Sequence, residues 1–203
     1  QTRTFAITAG NTNNAFTINS ATGEIRVNNA AAIDFEVNPF FNLTVSVTDN
    51  GSPAATGSGV VTVNLQNLND APTILPQMFS VPENSAAGTV VGNVIATETD
   101  PGQSITYAIT AGNTLNAFSI NAQTGVLTVS NPLALNFETT PQFQLTVRVI
   151  DNGQPAQQRS ATMTVNLTNV NEPPKFALNN PLFTIPENSP VGTIVGTNAA
   201  TDP

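Results

Sequence analysis

The chain has 203 residues, of which only 9% are charged, and its 13 acidic and five basic side chains give a net charge of −8 at pH 7. The absence of cysteine and histidine excludes disulfides, thiolate or imidazole metal ligands and a Ser-His-Asp triad. The acidic charge argues against nucleic acid as a partner, and no apolar run approaches the roughly 20 residues of a membrane-spanning helix.

Short segments with apolar residues at alternate positions follow one another along the chain, with Gly, Pro and Asn turns between them. In the second half they number about seven per hundred residues, counting the stretch around Phe79: residues 89–95, 105–109, 118–121, 126–129, 143–149 and 162–167. Regularly spaced short strands of this kind predict an all-β fold of β-sandwich type. We expect its core to contain Val94, Tyr107, Ile109, Phe118, Ile120, Leu127, Val129, Phe137, Leu145, Val147, Val149, Val165 and Leu167.

The sequence repeats itself. ITAGNTNNAF at residues 7–16 returns as ITAGNTLNAF at 109–118, an offset of 102, and NLNDAP at 67–72 returns as NVNEPP at 169–174. VPENSAAGTVVG at 81–92 returns as IPENSPVGTIVG at 185–196, an offset of 104. A period near 100 residues is the size of a small domain. The pattern predicts three pieces: a repeat lacking its first two strands (1–74), a complete repeat (75–174), and the first two strands of a third (175–203).

Twelve of the 13 acidic residues fall into five short patterns that lie beside turns, and Glu24 is the exception. The patterns are PEN, the Phe-Glu pair, the acids after the VVG strand, the DNG turn and the Asn-rich linker. Ca²⁺ needs six to eight oxygen ligands, which several loops can supply together. The alternative interpretation is that these residues only form turns, because Asp and Asn favour turns in any case.

PEN, Phe-Glu, DNG and the N-x-N-[DE]-x-P linker, in this order and spacing, resemble cadherin repeats over essentially the whole chain. The Asn-rich, cysteine-free style is similar to cadherin-like repeats of bacterial surface proteins. The resemblance implies tandem Ig-like Greek-key β-sandwiches of about seven strands, an extracellular location, and Ca²⁺ bound between successive repeats.

The resemblance also implies which residues bind Ca²⁺. At the first junction they are Asp34, Glu36, Asn67, the Leu68 carbonyl, Asn69, Asp70, Glu98, Asp100 and Asp151. At the second they are Glu83, Glu138, Asn169, the Val170 carbonyl, Asn171, Glu172 and Asp202, while Asp49 belongs to a junction before residue 1. The family linker usually opens with Asp where Asn67 and Asn169 stand here. Because each such change removes a charge, we expect fewer ions than the family's full complement.

The function that follows is a non-enzymatic structural or adhesive segment of an extracellular fibre or surface protein, stiffened by Ca²⁺. A glycosidase could use the Asp34 and Glu36 carboxylates, but the chain has one Tyr and no Trp to form a sugar platform. A calcium-independent fibronectin- or Ig-like stalk and a carbohydrate-binding adhesin module are the remaining alternatives.

The expected partners are neighbouring copies of the same repeat, joined end to end, because the chain opens with an incomplete repeat and closes with two strands of another. The copies are either covalently continuous or assembled by strand donation. A cell-surface or carbohydrate partner would bind elsewhere in the parent protein.

Overall fold

The computed structural model describes residues 1–202. Contacts between backbone positions divide them into two compact units, the first comprising Gln1–Ala71, Glu98–Ser104 and Asn152–Gln157, and the second the remainder. No helix in the described part of the chain is long and apolar enough to cross a membrane.

The first unit is built on five strands: β1 (Arg3–Ala9), β2 (Phe16–Ile18), β3 (Ile25–Val27), β4 (Phe40–Asp49) and β5 (Thr56–Asn64). Strands β1, β4 and β5 form an antiparallel sheet, and β2 pairs with β3 as a separate hairpin. Single 3-10 turns at Thr12–Asn14 and Ala30–Ala32 connect the strands. Its core contains five buried residues, namely Ala15, Phe16, Ala32, Phe41 and Leu43.

The second unit contains a complete sandwich. Its strands are β6 (Thr73–Ile74), β7 (Gln77–Pro82), β8 (Val90–Asn93), β9 (Ala96–Thr97), β10 (Ile105–Ala111), β11 (Phe118–Ile120), β12 (Val126–Val129), β13 (Gln142–Asp151) and β14 (Gln158–Thr168). One sheet has the order β10-β13-β14-β7 and the other β11-β12-β8, so that seven strands form the two layers, as predicted. Strand β7 pairs with β14 in parallel. Two short strands, β15 (Lys175–Phe176) and β16 (Ala200–Thr201), pair near the end of the chain.

The alternation of apolar and polar residues produces this core because successive side chains of a strand point to opposite faces. All 13 predicted core residues belong to it, ten of them buried and Ile109, Ile120 and Phe137 half-buried at its edge. Met163 and Leu135 are also fully buried and were missed. Leu135 lies outside any strand, in the segment after the 3-10 turn Pro132–Ala134, so strand alternation could not identify it.

The repeated motif ITAGN has a structural cause. The pairing of β1 with β4 shifts between Ile7 and Ala9, and that of β10 with β13 shifts between Ile109 and Ala111. Gly112 follows its bulge with φ of +79°, and a Cβ there would collide with the carbonyl group of Gln144. Only glycine fits a left-handed position so close to a neighbouring strand.

Candidate metal sites

Three carboxylates of the first unit converge. Oxygens of Glu36, Asp70 and Asp100 all lie within 4.8 Å of one another, and we call these residues the first carboxylate cluster. Asp100 is buried, Glu36 is half-buried and Asp70 is exposed. All three were predicted from the sequence as calcium ligands of one junction.

Backbone amides fix the loops that carry these side chains. Asp34 caps the turn that contains Glu36, since its Oδ1 accepts the Val37 N–H at 2.9 Å. The N–H of Asp70, in the strandless linker, donates to Asp100 Oδ2 at 2.8 Å. Glu98 Oε1 accepts the N–H groups of Thr99 and Asp100 at 2.8 and 2.9 Å. Each loop is thereby held by one oxygen of an acidic side chain.

Four of the side-chain oxygens described in these loops have no hydrogen-bond donor. Glu36 Oε1, Glu98 Oε2 and Asp100 Oδ1 are buried and have no hydrogen-bond donor among the described residues, and the same holds for Gln103 Oε1. Burying a polar acceptor without a partner costs about 1–3 kcal/mol, and more for a charged one. A divalent cation at the first carboxylate cluster would satisfy the free oxygens of Glu36 and Asp100, so these oxygens fit a hard metal ion.

The concentration of negative charge around Glu36 also favours a cation at this cluster. Burial raises the pKa of Glu36 above its usual 4.5, and the negative charges of Asp100, Asp70 and Asp34 raise it further. The chain supplies no basic side chain in an ion pair with this cluster, because the one salt bridge among the described residues joins Arg26 to Glu24. A bound cation would therefore stabilise the ionised form of Glu36.

A neutral network borders the first carboxylate cluster. Asn69 donates through Nδ2 to the Pro155 carbonyl at 2.9 Å and accepts from Gln103 Nε2 at 2.6 Å. A Cβ on Gly153 would collide with the side chains of both Asn69 and Gln103. Gln103 was missed as a candidate ligand, although its recurrence as Gln1 at the 102-residue offset was a signal that could have identified it.

The second carboxylate cluster lies in the second unit and consists of Glu83, Glu138 and Glu172. Here the oxygens already have donors. Glu83 accepts the N–H groups of Phe137 at 2.7 Å and Val170 at 2.8 Å, which lower its pKa. Asn169 Nδ2 donates to Glu138 Oε1 at 3.2 Å, and Asn84 Nδ2 donates to Glu172 Oε1 at 2.9 Å. These bonds reduce the need for a cation in this cluster.

The structure places the other predicted ligands outside the two clusters. Asp49 Oδ1 accepts the N–H groups of Gly51 and Ala55 within its own turn, and these bonds lower its pKa. Asp151 is buried at the end of β13. The remaining residues have exposed side chains: Asn67, Leu68, Val170, Asn171 and Asp202. For Val170 the structure shows a role of the amide, whereas the prediction concerned its carbonyl.

Comparison with known proteins agrees with the fold. A family model described as the cadherin domain matches residues 1–66 and 77–168. The chain belongs to the cadherin family. The expectation from the resemblance is confirmed for the family, for the sandwich fold and for the tandem repetition of the domain.

Two mammalian cadherins illustrate how similar the chain is to its relatives. Mouse cadherin EGF LAG seven-pass G-type receptor 2 is 38% identical over 191 residues, covering 92% of this chain and 6% of that protein. Rat cadherin-23 is 33% identical over 204 residues, covering 93% of this chain and 6% of that protein. The chain thus spans a small fraction of the length of these cadherins. Both relatives are mammalian, and a bacterial origin stays a prediction.

Solved cadherin structures share the fold. Mouse cadherin-23 EC22-24 superposes with a TM-score of 0.67 at 27% identity, covering 98% of this chain and 65% of that one. A structure of the protocadherin gammaB7 EC3-6 cis-dimer gives 0.67 at 26% identity, covering 99% and 51%. The protocadherin gammaB4 structure that also matches is of an extracellular domain. The expected extracellular location is confirmed by this family membership.

Proposed function

We propose that this cadherin segment is a non-enzymatic structural and adhesive element whose repeats are stiffened by Ca²⁺. The observation that carries the proposal is the set of buried oxygens without donors on Glu36, Glu98, Asp100 and Gln103. Acidic turns without a ligand role would leave such oxygens exposed to water or hydrogen-bonded to the chain. We propose the same repeat boundaries as the sequence indicates, at 1–74, 75–174 and 175–203.

The first carboxylate cluster would be the stronger site. Glu36, Asp70, Glu98 and Asp100 would supply charged oxygens, and Gln103 a neutral one. The other residues proposed as ligands at this site are Asp34, Asn67, the Leu68 carbonyl, Asn69 and Asp151. The second cluster would bind more weakly, because its oxygens must share their lone pairs with the amides that already donate to them. Asn169, the Val170 carbonyl, Asn171 and Asp202 remain proposed ligands there, as Asp49 does for a preceding junction.

Repulsion explains why a cation would stiffen the chain. Two unit charges 4 Å apart repel by about 1 kcal/mol even at the dielectric constant of water, and by more when they are partly buried. Glu36, Asp70 and Asp100 meet at this range, and Asp70 lies in the linker 65–72, which has no strand of its own. We propose that Ca²⁺ removes the repulsion and holds this linker in place.

Calcium titration of the 203-residue chain tests the proposal. The melting temperature should rise with Ca²⁺ concentration, because a ligand that binds only the folded state stabilises it. Glu36→Gln should weaken the calcium affinity, measured by calorimetry, by about tenfold or more. The matched control is Glu24→Gln, which removes an exposed carboxylate that pairs only with Arg26. The control should leave the affinity unchanged.

A melting temperature that does not respond to millimolar Ca²⁺ would contradict the proposal. The calcium-independent stalk would then be the better interpretation of the fold. Limited proteolysis gives a second readout, since linker 65–72 should be cleaved in EDTA and protected by Ca²⁺. Equal cleavage under both conditions would show that the ion does not order the linker.

We also propose neighbouring copies of the same repeat as the partners of this segment. The related protocadherin gammaB7 structure is a cis-dimer, so association between copies occurs in the family. The two repeats carry similar segments at a fixed offset, which supports partners of the same kind for each.

A further inference from the structure

One basic side chain of the complete repeat has no partner in the folded chain. Arg148 lies in β13 and is half-buried. Its Nε atom is buried and has no hydrogen-bond acceptor among the described residues. The one salt bridge in the part of the chain that the structure describes joins Arg26 to Glu24, so no acid there forms an ion pair with Arg148. Folding thus removes part of the hydration of this guanidinium and gives it no acceptor in return.

Arg148 points outward from the larger sheet of the second unit. Its neighbours Val147 and Val149 are fully buried in the core, and successive side chains of a strand point to opposite faces. Across the strands Arg148 pairs with Ala108 and Ser160. Both side chains are short, so neither can reach over the guanidinium.

The surface around Arg148 contains no acidic residue. The neighbouring rows consist of uncharged side chains, namely Thr106, Ile150 and Gln158 on one side and Thr146 and Thr162 on the other. We call these two rows, together with the row of Arg148, the arginine face. Acidic residues outnumber basic ones by 13 to five in the chain, yet this face has a single charge and that charge is positive.

The first repeat shows that the fold does not require an arginine at this position. Counted back by 102 residues, the row of Arg148 becomes Ala6, Ser46 and Ser58, with the same cross-strand pairing. The Ser46 hydroxyl donates to the Ala6 carbonyl at 3.5 Å, so the serine finds an acceptor in its own chain. The two repeats therefore differ here in what they present to other molecules and not in backbone geometry.

We propose that the arginine face binds an acidic segment of a partner protein, with an Asp or Glu carboxylate of that partner on the Arg148 guanidinium. The paired nitrogens of a guanidinium match the two oxygens of a carboxylate. Part of the hydration that a charge must lose on binding is already lost in the folded chain. The exposed side chains of Thr106, Gln158 and Thr162 supply polar groups around the pair, as the rim of a protein interface does.

Charge complementarity specifies an anion, and the surrounding side chains favour a protein. The arginine face has no aromatic ring on which a sugar could stack. Nucleic acids and anionic membranes present dense negative charge, which the net charge of −8 repels, whereas a protein segment can present a single carboxylate. Arg148 belongs to neither carboxylate cluster, so this binding goes beyond the proposed calcium function.

An NMR titration of the 203-residue chain tests the proposal, because the chain has only four arginine Nε–H signals. The probe is the acetylated and amidated peptide Thr-Glu-Thr-Glu-Thr, and Thr-Gln-Thr-Gln-Thr is its neutral counterpart. We expect the acidic peptide to shift the Arg148 signal saturably and the neutral peptide to leave it unchanged. Added salt should weaken the binding, because it screens exposed charges. In calcium-free buffer the result is independent of the calcium proposal.

A matched pair of substitutions locates the binding. Arg148→Ser should weaken the affinity for the acidic peptide by at least about tenfold, since a hydrogen-bonded charge pair is lost. This change installs the residue that the first repeat has at Ser46, so we expect the fold to be kept. Arg159→Ser removes the same charge, but Arg159 pairs with the core-facing Val149 and donates through Nη1 to the Gln158 carbonyl at 3.2 Å. This control should leave the affinity unchanged.

Three outcomes would overturn the proposal. The first is an Arg148 signal in the wild-type chain that moves with neither peptide, a readout that does not depend on the stability of any variant. The second is equal weakening by both substitutions, which would show attraction to net charge alone. The third concerns an acidic sugar, trigalacturonic acid. If it shifts the Arg148 signal at lower concentration than the acidic peptide does, the ligand is a carbohydrate and a protein partner is excluded.

Discussion

The folded chain without Ca²⁺ raises the pKa of Glu36, whereas a bound cation would lower it. In the absence of Ca²⁺ its folded-state pKa is raised above 4.5 by burial and by its acidic neighbours. A raised pKa means that the stability contribution of the group is complete below the unfolded pKa and is lost as the pH rises through the folded-state pKa. Glu36→Gln should therefore melt higher than wild type in EDTA at pH 7, although we expect it to bind Ca²⁺ more weakly.

The pH dependence of the melting-temperature difference would show whether the ionisation of Glu36 causes it. The difference in melting temperature between the two proteins should shrink as the pH falls from 7 towards 4.5, since wild-type Glu36 then becomes protonated. Scanning calorimetry in EDTA at a series of pH values measures it. A difference that is the same at every pH would indicate a packing effect of the substitution instead.

Gly153 should be required for the network beside the first carboxylate cluster. Gly153→Ala places a methyl group into the side chains of Asn69 and Gln103, so one of them must move and its hydrogen bond is lost. We expect destabilisation of about 1–3 kcal/mol and weaker calcium binding. Gly59→Ala is the control, because a Cβ there would have no atom within 4 Å. Equal effects of the two substitutions on urea unfolding would contradict this account.

Residue types alone could identify candidate ligands but not which oxygens are free. Glu36, Asp70 and Asp100 were predicted and do converge. Asp34 and Asp49 have the same chemistry, yet each uses an oxygen to accept backbone N–H groups in its own turn. The assignment of lone pairs depends on where the loops bring N–H groups, and that is a property of tertiary structure. Gln103 was missed for a different reason: a neutral amide has no charge to mark it, and its recurrence as Gln1 was the one signal available.

At the scale of single elements, the bulge between Ile109 and Ala111 should limit which residues the strand tolerates. Gly112→Ala must strain the left-handed backbone and also push against the Gln144 carbonyl, whereas Gly88→Ala, at φ of +85°, meets no atom within 4 Å. Positive φ alone costs about 1–3 kcal/mol, so Gly112→Ala should exceed Gly88→Ala by the energy of the collision. Chemical denaturation monitored by circular dichroism compares them. A larger effect of Gly88→Ala would exclude the steric explanation.

The main strands could be predicted because alternation over seven or more residues is a strong signal, as in β10, β13 and β14. The pair β6 and β9 could not, since each strand has two residues and exists only because the chain brings Thr73 beside Thr97 and Ile74 beside Ala96. The parallel pairing of β7 with β14 also requires knowledge of topology. The sequence nevertheless located β7 itself, through the stretch around Phe79.

At the scale of the whole molecule, the two units should differ in stability. The core of the second unit contains 17 buried residues and that of the first contains five, although their strands recur at a fixed offset. Stability follows the apolar area that folding removes from water, and fewer apolar side chains are buried in the first unit. We therefore expect the first unit to unfold at the lower temperature in the absence of Ca²⁺ and of association.

A matched pair of substitutions assigns the two transitions. Leu43 and Leu145 occupy equivalent positions at the 102-residue offset, and both are fully buried. Each Leu→Ala change should cost about 2–5 kcal/mol in its own unit. In calorimetry in EDTA, Leu43→Ala should lower the first transition and Leu145→Ala the second. Adding Ca²⁺ should move the first transition further than the second, because the oxygens without donors lie in the first unit and those of the second carboxylate cluster already have amide partners. A single transition that both substitutions shift equally would show that the units unfold together.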